Sequence, residues 1–306
     1  MAGLRSNACV AAVGFLLVVT SLALGGNRQA SHRGGEAGLE GHSTKFLYPM
    51  RALTTDPTRG PRLGTHLDLA LSRDGEVFVA DPDHHRLLRY NPHTRFLEPF
   101  PLALERTRPF FPSGIAVDAM GSIIVANQDG HELLVFDRTG RLLRKIGGER
   151  SLLERPIDLA IDAATHLYVL DGARREVQVW TLDGQMVRTL KLSAATSRGS
   201  MRGGTSLAVG PDGTVYVTDG DAWHVIGFLP DGRVLALEKP AGWEWRSPEG
   251  IAVDGAGQVY VTDYHHYAIA EFSREGRFLV GHLLAKERLK QPTRMAVSQH
   301  ALYVVN

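Results

Sequence analysis

The chain has 306 residues, 43% hydrophobic and 22% charged, which is enough for one large domain or two ordinary ones. A net charge of +1 supplies no field to gather nucleic acid or an anionic membrane surface. With 33 glycines and 15 prolines the composition favours many turns and an all-β chain, and the single cysteine, Cys9, excludes an internal disulfide framework.

In chain order, the first element is apolar. Arg5 precedes the uncharged stretch SNACVAAVGFLLVVTSLALGGN, and the next charge is Arg28. One positive charge, an apolar core and small residues at Ala23, Gly25 and Gly26 describe a secretory signal peptide over residues 1–26. As a helix, residues 8–24 would be about 26 Å long, close to the hydrocarbon core of a bilayer, so an uncleaved membrane anchor is the alternative. Either reading places the protein outside the cytoplasm. Residues 27–43 are Gly-rich and polar and read as a flexible linker.

From residue 44 to 306 the chain is repetitive. Six units begin HLDLALSRDGEVFVAD, PSGIAVDAMGSIIVAN, PIDLAIDAATHLYVLD, GTSLAVGPDGTVYVTD, PEGIAVDGAGQVYVTD and PTRMAVSQHALYVVN. Their central alanines, Ala70, Ala116, Ala160, Ala208, Ala252 and Ala296, recur every 44 to 48 residues. In the first five units a second half ends on an aromatic, at Tyr90, Phe136, Trp180, Phe228 and Phe272, with the same period. Each unit reads as four short strands separated by tight-turn sequences such as RDG, GAG and PDG. Four antiparallel strands at this period make a propeller blade, and a blade buries its two faces only against neighbours. The expected fold is an all-β, six-bladed β-propeller. The sixth unit stops after its second strand, so the ring needs N-terminal material. TKFLYPMRALT, residues 44–54, is expected to pair with the Ala296 blade and close it.

The units PEGIAVDGAGQVYVTD and PSGIAVDAMGSIIVANQDGHELLVFDRTGRLL resemble NHL repeats, whose pattern runs P-x-G-I-A-V-D, G-x-I-Y-V-A-D, N-H-R-I and V-F-D. The resemblance covers roughly residues 62–306 and implies a six-bladed propeller of the TolB-like, gluconolactonase-like kind. It does not imply one function, so function must come from the site.

Strand alternation places the variable, longer connections on one face: residues 101–111, 146–155, 193–204 and 239–247. Long loops on a rigid scaffold are where binding is expected, around the mouth of the central channel. The candidates on that face are Arg174, Arg175, Trp223, Trp243, Trp245, His265, His266 and Tyr267. Aromatic rings there could stack on a sugar or anchor a partner, or could pack onto the next blade. A protein, peptide or glycan ligand is expected, and not nucleic acid, with residues 8–24 as the route to any membrane attachment.

Two histidine trios, His84/His85/His131 and His224/His265/His266, lie on neighbouring blades and would suit Zn²⁺ if their imidazoles converged. The competing use is structural. Counted from the closing residues Asp81, Asn127, Asp171, Asp219, Asp263 and Asn306, the fourth position holds His85, His131, Arg175, Trp223 and Tyr267. His85 and His131 thus fill the repeat's own histidine slot, while His265 and His266 lie before it and are the harder pair to dismiss. The closing acids and amides could ring a Ca²⁺ ion, but Asp and Asn at loop starts more often accept turn N–H groups. Peptide-amidating lyases with similar repeats hold zinc through histidines just before the first strands. The matching positions here are Leu67, Ser113, Ile157, Thr205, Glu249 and Thr293, none of them histidine, and His66 is one residue out of place. Resemblance to gluconolactonase-like hydrolases implies a metal on Glu249 with Asn127 and Asp219, although their N-G-L element is missing. The leading expectation is a non-catalytic binding module, with a metal-dependent lactonase centred on Glu249 as the rival.

Overall fold

Strand two of each unit is an unbroken apolar run such as VFVAD or VYVTD because both of its faces are covered. In a computed structural model of the chain, Val77 and Val79 point to one neighbouring blade and Phe78 and Ala80 to the other, all of them buried. Tyr216 and Tyr260 behave likewise against the odd-numbered valines flanking them. The residues the structure describes are 16–20, 44–45, 51–56, 62–105, 110–148, 152–195, 205–238, 244–283, 291–298 and 301–305.

Five four-stranded antiparallel blades follow in order. The first is β4 (Asp68–Leu71), β5 (Val77–Asp81), β6 (Arg86–Asn91) and β7 (Phe96–Pro99). The second is β8 (Pro112–Val117), β9 (Ile123–Asn127), β10 (Glu132–Phe136) and β11 (Leu142–Gly147), and the third is β12 (Pro156–Ile161), β13 (His166–Asp171), β14 (Glu176–Thr181) and β15 (Met186–Lys191). The fourth is β16 (Ser206–Val209), β17 (Val215–Asp219), β18 (His224–Phe228) and β19 (Val234–Ala236). The fifth is β20 (Pro248–Val253), β21 (Val259–Asp263), β22 (Ala268–Phe272) and β23 (Phe278–Leu283). The sixth sheet holds β24 (Met295–Val297) and β25 (Ala301–Val305). Six apolar clusters lie one between each pair of adjacent blades, and first strands touch in cyclic order, with β24 against β4. That closes a six-bladed ring.

The N-terminal side does supply the missing strands, but not as expected. β1 (Leu16–Thr20) pairs with β25 from Leu16↔Val305 to Thr20↔Ala301, and β3 (Arg51–Leu53) pairs with β1, not with β25. The inner strand of the clasp therefore comes from the segment read as a signal peptide or anchor. β2 (Thr44–Lys45) lies parallel to β23, and Thr55 bridges to Leu97 of the first blade. Residues 46–50 fall outside the described residues.

Turn chemistry explains the punctuation. In the turns after first strands, Gly75, Gly121, Gly213 and Gly257 all sit at φ 82° to 85°. Asp118 and Asp254 open two of these turns, and each accepts two later backbone N–H groups. The third blade has Thr165 in the glycine's place, at φ 67°. A β-branched residue is strained in the left-handed region, by about 1–2 kcal/mol. Thr165→Gly is expected to stabilise the fold by about 1 kcal/mol in chemical denaturation; a lower midpoint would contradict this account of the turn.

Candidate functional site at the channel mouth

The six positions just before or at the start of the first strands, Leu67, Ser113, Ile157, Thr205, Glu249 and Thr293, all line one cavity of about 430 Å³. The repeat puts them there: each is the same step in its blade, and the six first strands surround the axis. Ring order splits the wall into two halves. Thr205, Glu249 and Thr293 are consecutive and polar, whereas Leu67 and Ile157 flank Ser113. Thr65, His66, Asp83, Phe111 and Gln128 add a rim, and Arg294 reaches up from below.

One residue further in lie Asp68, Gly114, Asp158, Ser206, Gly250 and Arg294. Asp68 accepts the Ile115 N–H at 2.8 Å, and Asp158 the Leu207 N–H at 2.8 Å, so each stitches its blade to the next. Asp158 also accepts from Ser206 Oγ and from Arg294 Nη1, both at 2.7 Å. Arg294 belongs to the sixth blade and Asp158 to the third, so this pair spans the channel. Arg294 is only 15% exposed and Asp158 5%. Burial, with Asp158 beside it, pushes the Asp68 carboxyl up to about 7, against the pull of Arg294. Burial alone would weaken the Arg294 charge, but Asp158, Asp68 and Glu249 outweigh it and hold its pKa above the ordinary value. A buried cation between two carboxylates is thus the floor of the cavity. The signal in the sequence was a charge at a step that other units fill with Gly or Ser.

The rim carries a second cluster. Asp83 accepts from the Thr65 N–H at 2.6 Å and from Thr65 Oγ1 at 2.9 Å, and lies 3.1 Å from His66 Nδ1. Partial burial would raise its pKa, but the Thr65 and His66 hydrogen bonds prevail and bring it to about 2.

The histidine loops are built for structure. His85, His131, Arg175, Trp223 and Tyr267 share a left-handed backbone, φ 50° to 58°. His85 Nδ1 meets the Phe110 carbonyl at 2.8 Å and His131 Nδ1 the Glu154 carbonyl at 2.5 Å, so each pins the loop that crosses to the next blade. His84 and His266 are the same residue of the repeat: each stands three after its closing aspartate and binds it, Nδ1 to Asp81 Oδ1 at 3.0 Å and to Asp263 Oδ2 at 2.7 Å. The second doublet thus sits one residue earlier in its repeat than the first, with His84 and His266 as the equivalent pair. His265 is exposed, edge-on to Tyr264 at 4.9 Å, and His224 Nδ1 is buried without a hydrogen-bond partner.

The closing residues hold loops. Asn127 Oδ1 accepts the Phe111 N–H at 2.9 Å while its amide donates to Glu132, Asp171 accepts from Glu154 and Arg155, and Asp219 accepts from Ala222. All three are nearly inaccessible, and Asn306 falls outside the described residues. Among the described residues no three His, Cys, Asp or Glu are gathered as a metal site. Of the set Glu249, Asn127, Asp219, His224, His265 and His266, Asn127, Asp219 and His266 hold loop or closing residues by hydrogen bonds. Glu249 alone of these lines the cavity, and its Oε1 accepts from Ser247 Oγ at 2.6 Å.

Of the expected binding residues, Trp223 is 55% exposed, Arg174 and Arg175 are exposed, and Tyr267 is half-buried. Arg174 lies 3.7 Å from Glu154. Trp245 takes the second of its two expected roles: it is 3% exposed and packs on Phe272, ring centres 5.9 Å apart. It fills the seam between the fourth and fifth blades instead of meeting a ligand. Trp243 falls outside the described residues.

Residues 246–272 match the family model described as NHL repeat. Protein brain tumor of Drosophila melanogaster is 32% identical over 129 residues, which are 40% of this chain and 12% of that protein's length. Among solved structures, virginiamycin B lyase from Staphylococcus aureus aligns with TM-score 0.59 and 12% identity, covering 78% of this chain and 77% of that one. A gluconolactonase from Xanthomonas campestris aligns with TM-score 0.59 and 18% identity, over 79% and 86%. A chain of the nidogen/laminin complex aligns with TM-score 0.59 and 15% identity, over 92% and 97%. Identities this low show a shared fold alone.

Proposed function

We propose that this NHL-repeat β-propeller works as a non-catalytic binding module, taking a protein, peptide or glycan on its long-loop face. The observation that carries the reading is the cavity where six equivalent residues of the ring converge, with exposed Trp223 and Arg175 on the same face. A rigid ring with a concave, mixed-polarity mouth and aromatic and arginine side chains around it is suited to recognition. Asn127 and Asp219, which a lactonase would need beside Glu249, are occupied by loop backbone. The charge of +1 favours these ligand classes over nucleic acid. Peptide display and glycan arrays on the purified chain test this. Ligands recovered should lose at least ten-fold in affinity with Trp223→Ala and none with Arg144→Ala on the outer strand β11. Recovery of nothing, together with turnover of a sugar lactone that needs added Ca²⁺ or Zn²⁺, would establish the rival.

Extracytoplasmic placement is part of the same proposal and rests on residues 1–26 alone. Leu16–Thr20 lie in that segment and pair with β25, so a cleaved chain must do without five ladder pairs. Intact-mass measurement on fractionated cells decides it: a chain short of its first 26 residues in the exported fraction is expected, and full-length protein confined to the cytoplasm would sink the placement.

A further inference from the structure

We infer that the channel mouth is a receptor for a protonated alkylamine, the chemistry of a lysine side chain offered by a partner. The inference rests on the binding-module reading and names what that module grips. Its basis is the hydrogen-bonding capacity left over by the wall. Ser113 Oγ donates its one proton to the Pro156 carbonyl at 2.6 Å, so it faces a ligand with lone pairs only. Glu249 is an acceptor on both oxygens, and among the described residues only Oε1 is taken up, by Ser247. Thr293 Oγ1 is buried with no partner. Thr205 Oγ1 already accepts from the Gly220 N–H. Thr205 keeps its own hydroxyl proton, but Ser113 and Glu249 present lone pairs alone, and these call for a donor.

Charge agrees with hydrogen bonding. Arg294 is one positive charge, and Asp158 already answers it at 2.7 Å. Glu249 and Asp83 remain in the lining, so the mouth carries an excess of negative charge. An anion would meet repulsion there, and a neutral hydroxyl would leave Glu249 uncompensated. The wall is also two-sided: Leu67 and Ile157 can cover an aliphatic stem, and Phe111 offers a ring face or edge at the rim. On the opposite half the ammonium is taken by the Glu249 carboxylate. A cavity of about 430 Å³ has room for a four-carbon chain and its head.

Calorimetric or NMR titration of the whole chain with n-butylamine hydrochloride tests this, with n-butanol and sodium butyrate as matched probes. Butylammonium should bind saturably in the millimolar range, at least ten-fold more tightly than either control. Glu249→Gln should weaken it at least ten-fold, with the melting temperature unchanged. Equal binding of butanol, or butylammonium binding that ignores Glu249→Gln, would overturn the inference. So would stoichiometric Ca²⁺ binding that requires Glu249 and expels the amine. Should Glu249→Gln fail to fold, the comparison of amine with alcohol on the unaltered chain still decides. Display-selected ligands that need Trp223 but ignore Glu249→Gln would keep the binding module and remove only the amine.

Discussion

Arg294→Met is expected to destabilise the propeller by about 3–5 kcal/mol, because it strands buried Asp158 without its cation. For a chain of this size that corresponds to a fall in melting temperature on the order of 10 °C. The reason is positional as much as electrostatic. Arg294 stands at the entry to β24, in the blade whose other half is supplied from the N-terminal side, and its guanidinium ties that blade to the third across the channel. The seam should therefore loosen first, and amide exchange in Ala301–Val305 should rise before exchange in β13 or β17. Pairing the change with Asp158→Asn removes the stranded charge, so the double variant should be more stable than the sum of the single losses. If Arg294→Met melts within about 2 °C of the parent, the cross-brace contributes little and closure rests on strand pairing and the apolar seam.

The ring was legible because its signals are redundant. The alanine and aromatic markers keep one period, strand-two runs are apolar on both faces, and glycines stand where φ must be positive. The structural use of His85 and His131 was legible for the same reason: a residue that recurs at one step of a repeat is serving the repeat. What stayed hidden required distances between blades. The inner clasp strand Leu16–Thr20 sits within a longer apolar run, and such a run reads equally as a leader, an anchor or a strand until its partner is known. Trp245 looked like a loop aromatic because nothing local reports the pocket beside Phe272. The floor was missed by one residue. Leu67, Ser113, Ile157, Thr205, Glu249 and Thr293 were weighed as zinc-histidine positions, and the charges at the next step, which meet only across the axis, carried no local sign of that meeting.

Asp68→Asn is expected to change how stability depends on pH. The folded-state pKa of Asp68 is raised to about 7, whereas in the unfolded chain it has the ordinary value near 3.8. Below pH 4 both states hold the proton and the aspartate costs the fold nothing. Between pH 4 and 7 the unfolded chain releases it while the folded chain keeps it, so stability falls by about 1.4 kcal/mol per pH unit. Above pH 7 both states are ionised and the loss is complete, about 4 kcal/mol by single-site linkage. The neutral amide can still accept the Ile115 N–H through its oxygen, and it leaves Arg294 and Asp158 as a balanced pair. Asp68→Asn should thus match the parent near pH 4 and exceed it by a few kcal/mol at pH 8. The groups facing Asp68 are Asp158 and Arg294. Urea unfolding of both proteins across that range measures the difference curve, in which titrations common to the two cancel. A flat difference would mean that Asp68 is ionised in the fold at neutral pH, and that Arg294 is shared between two carboxylates.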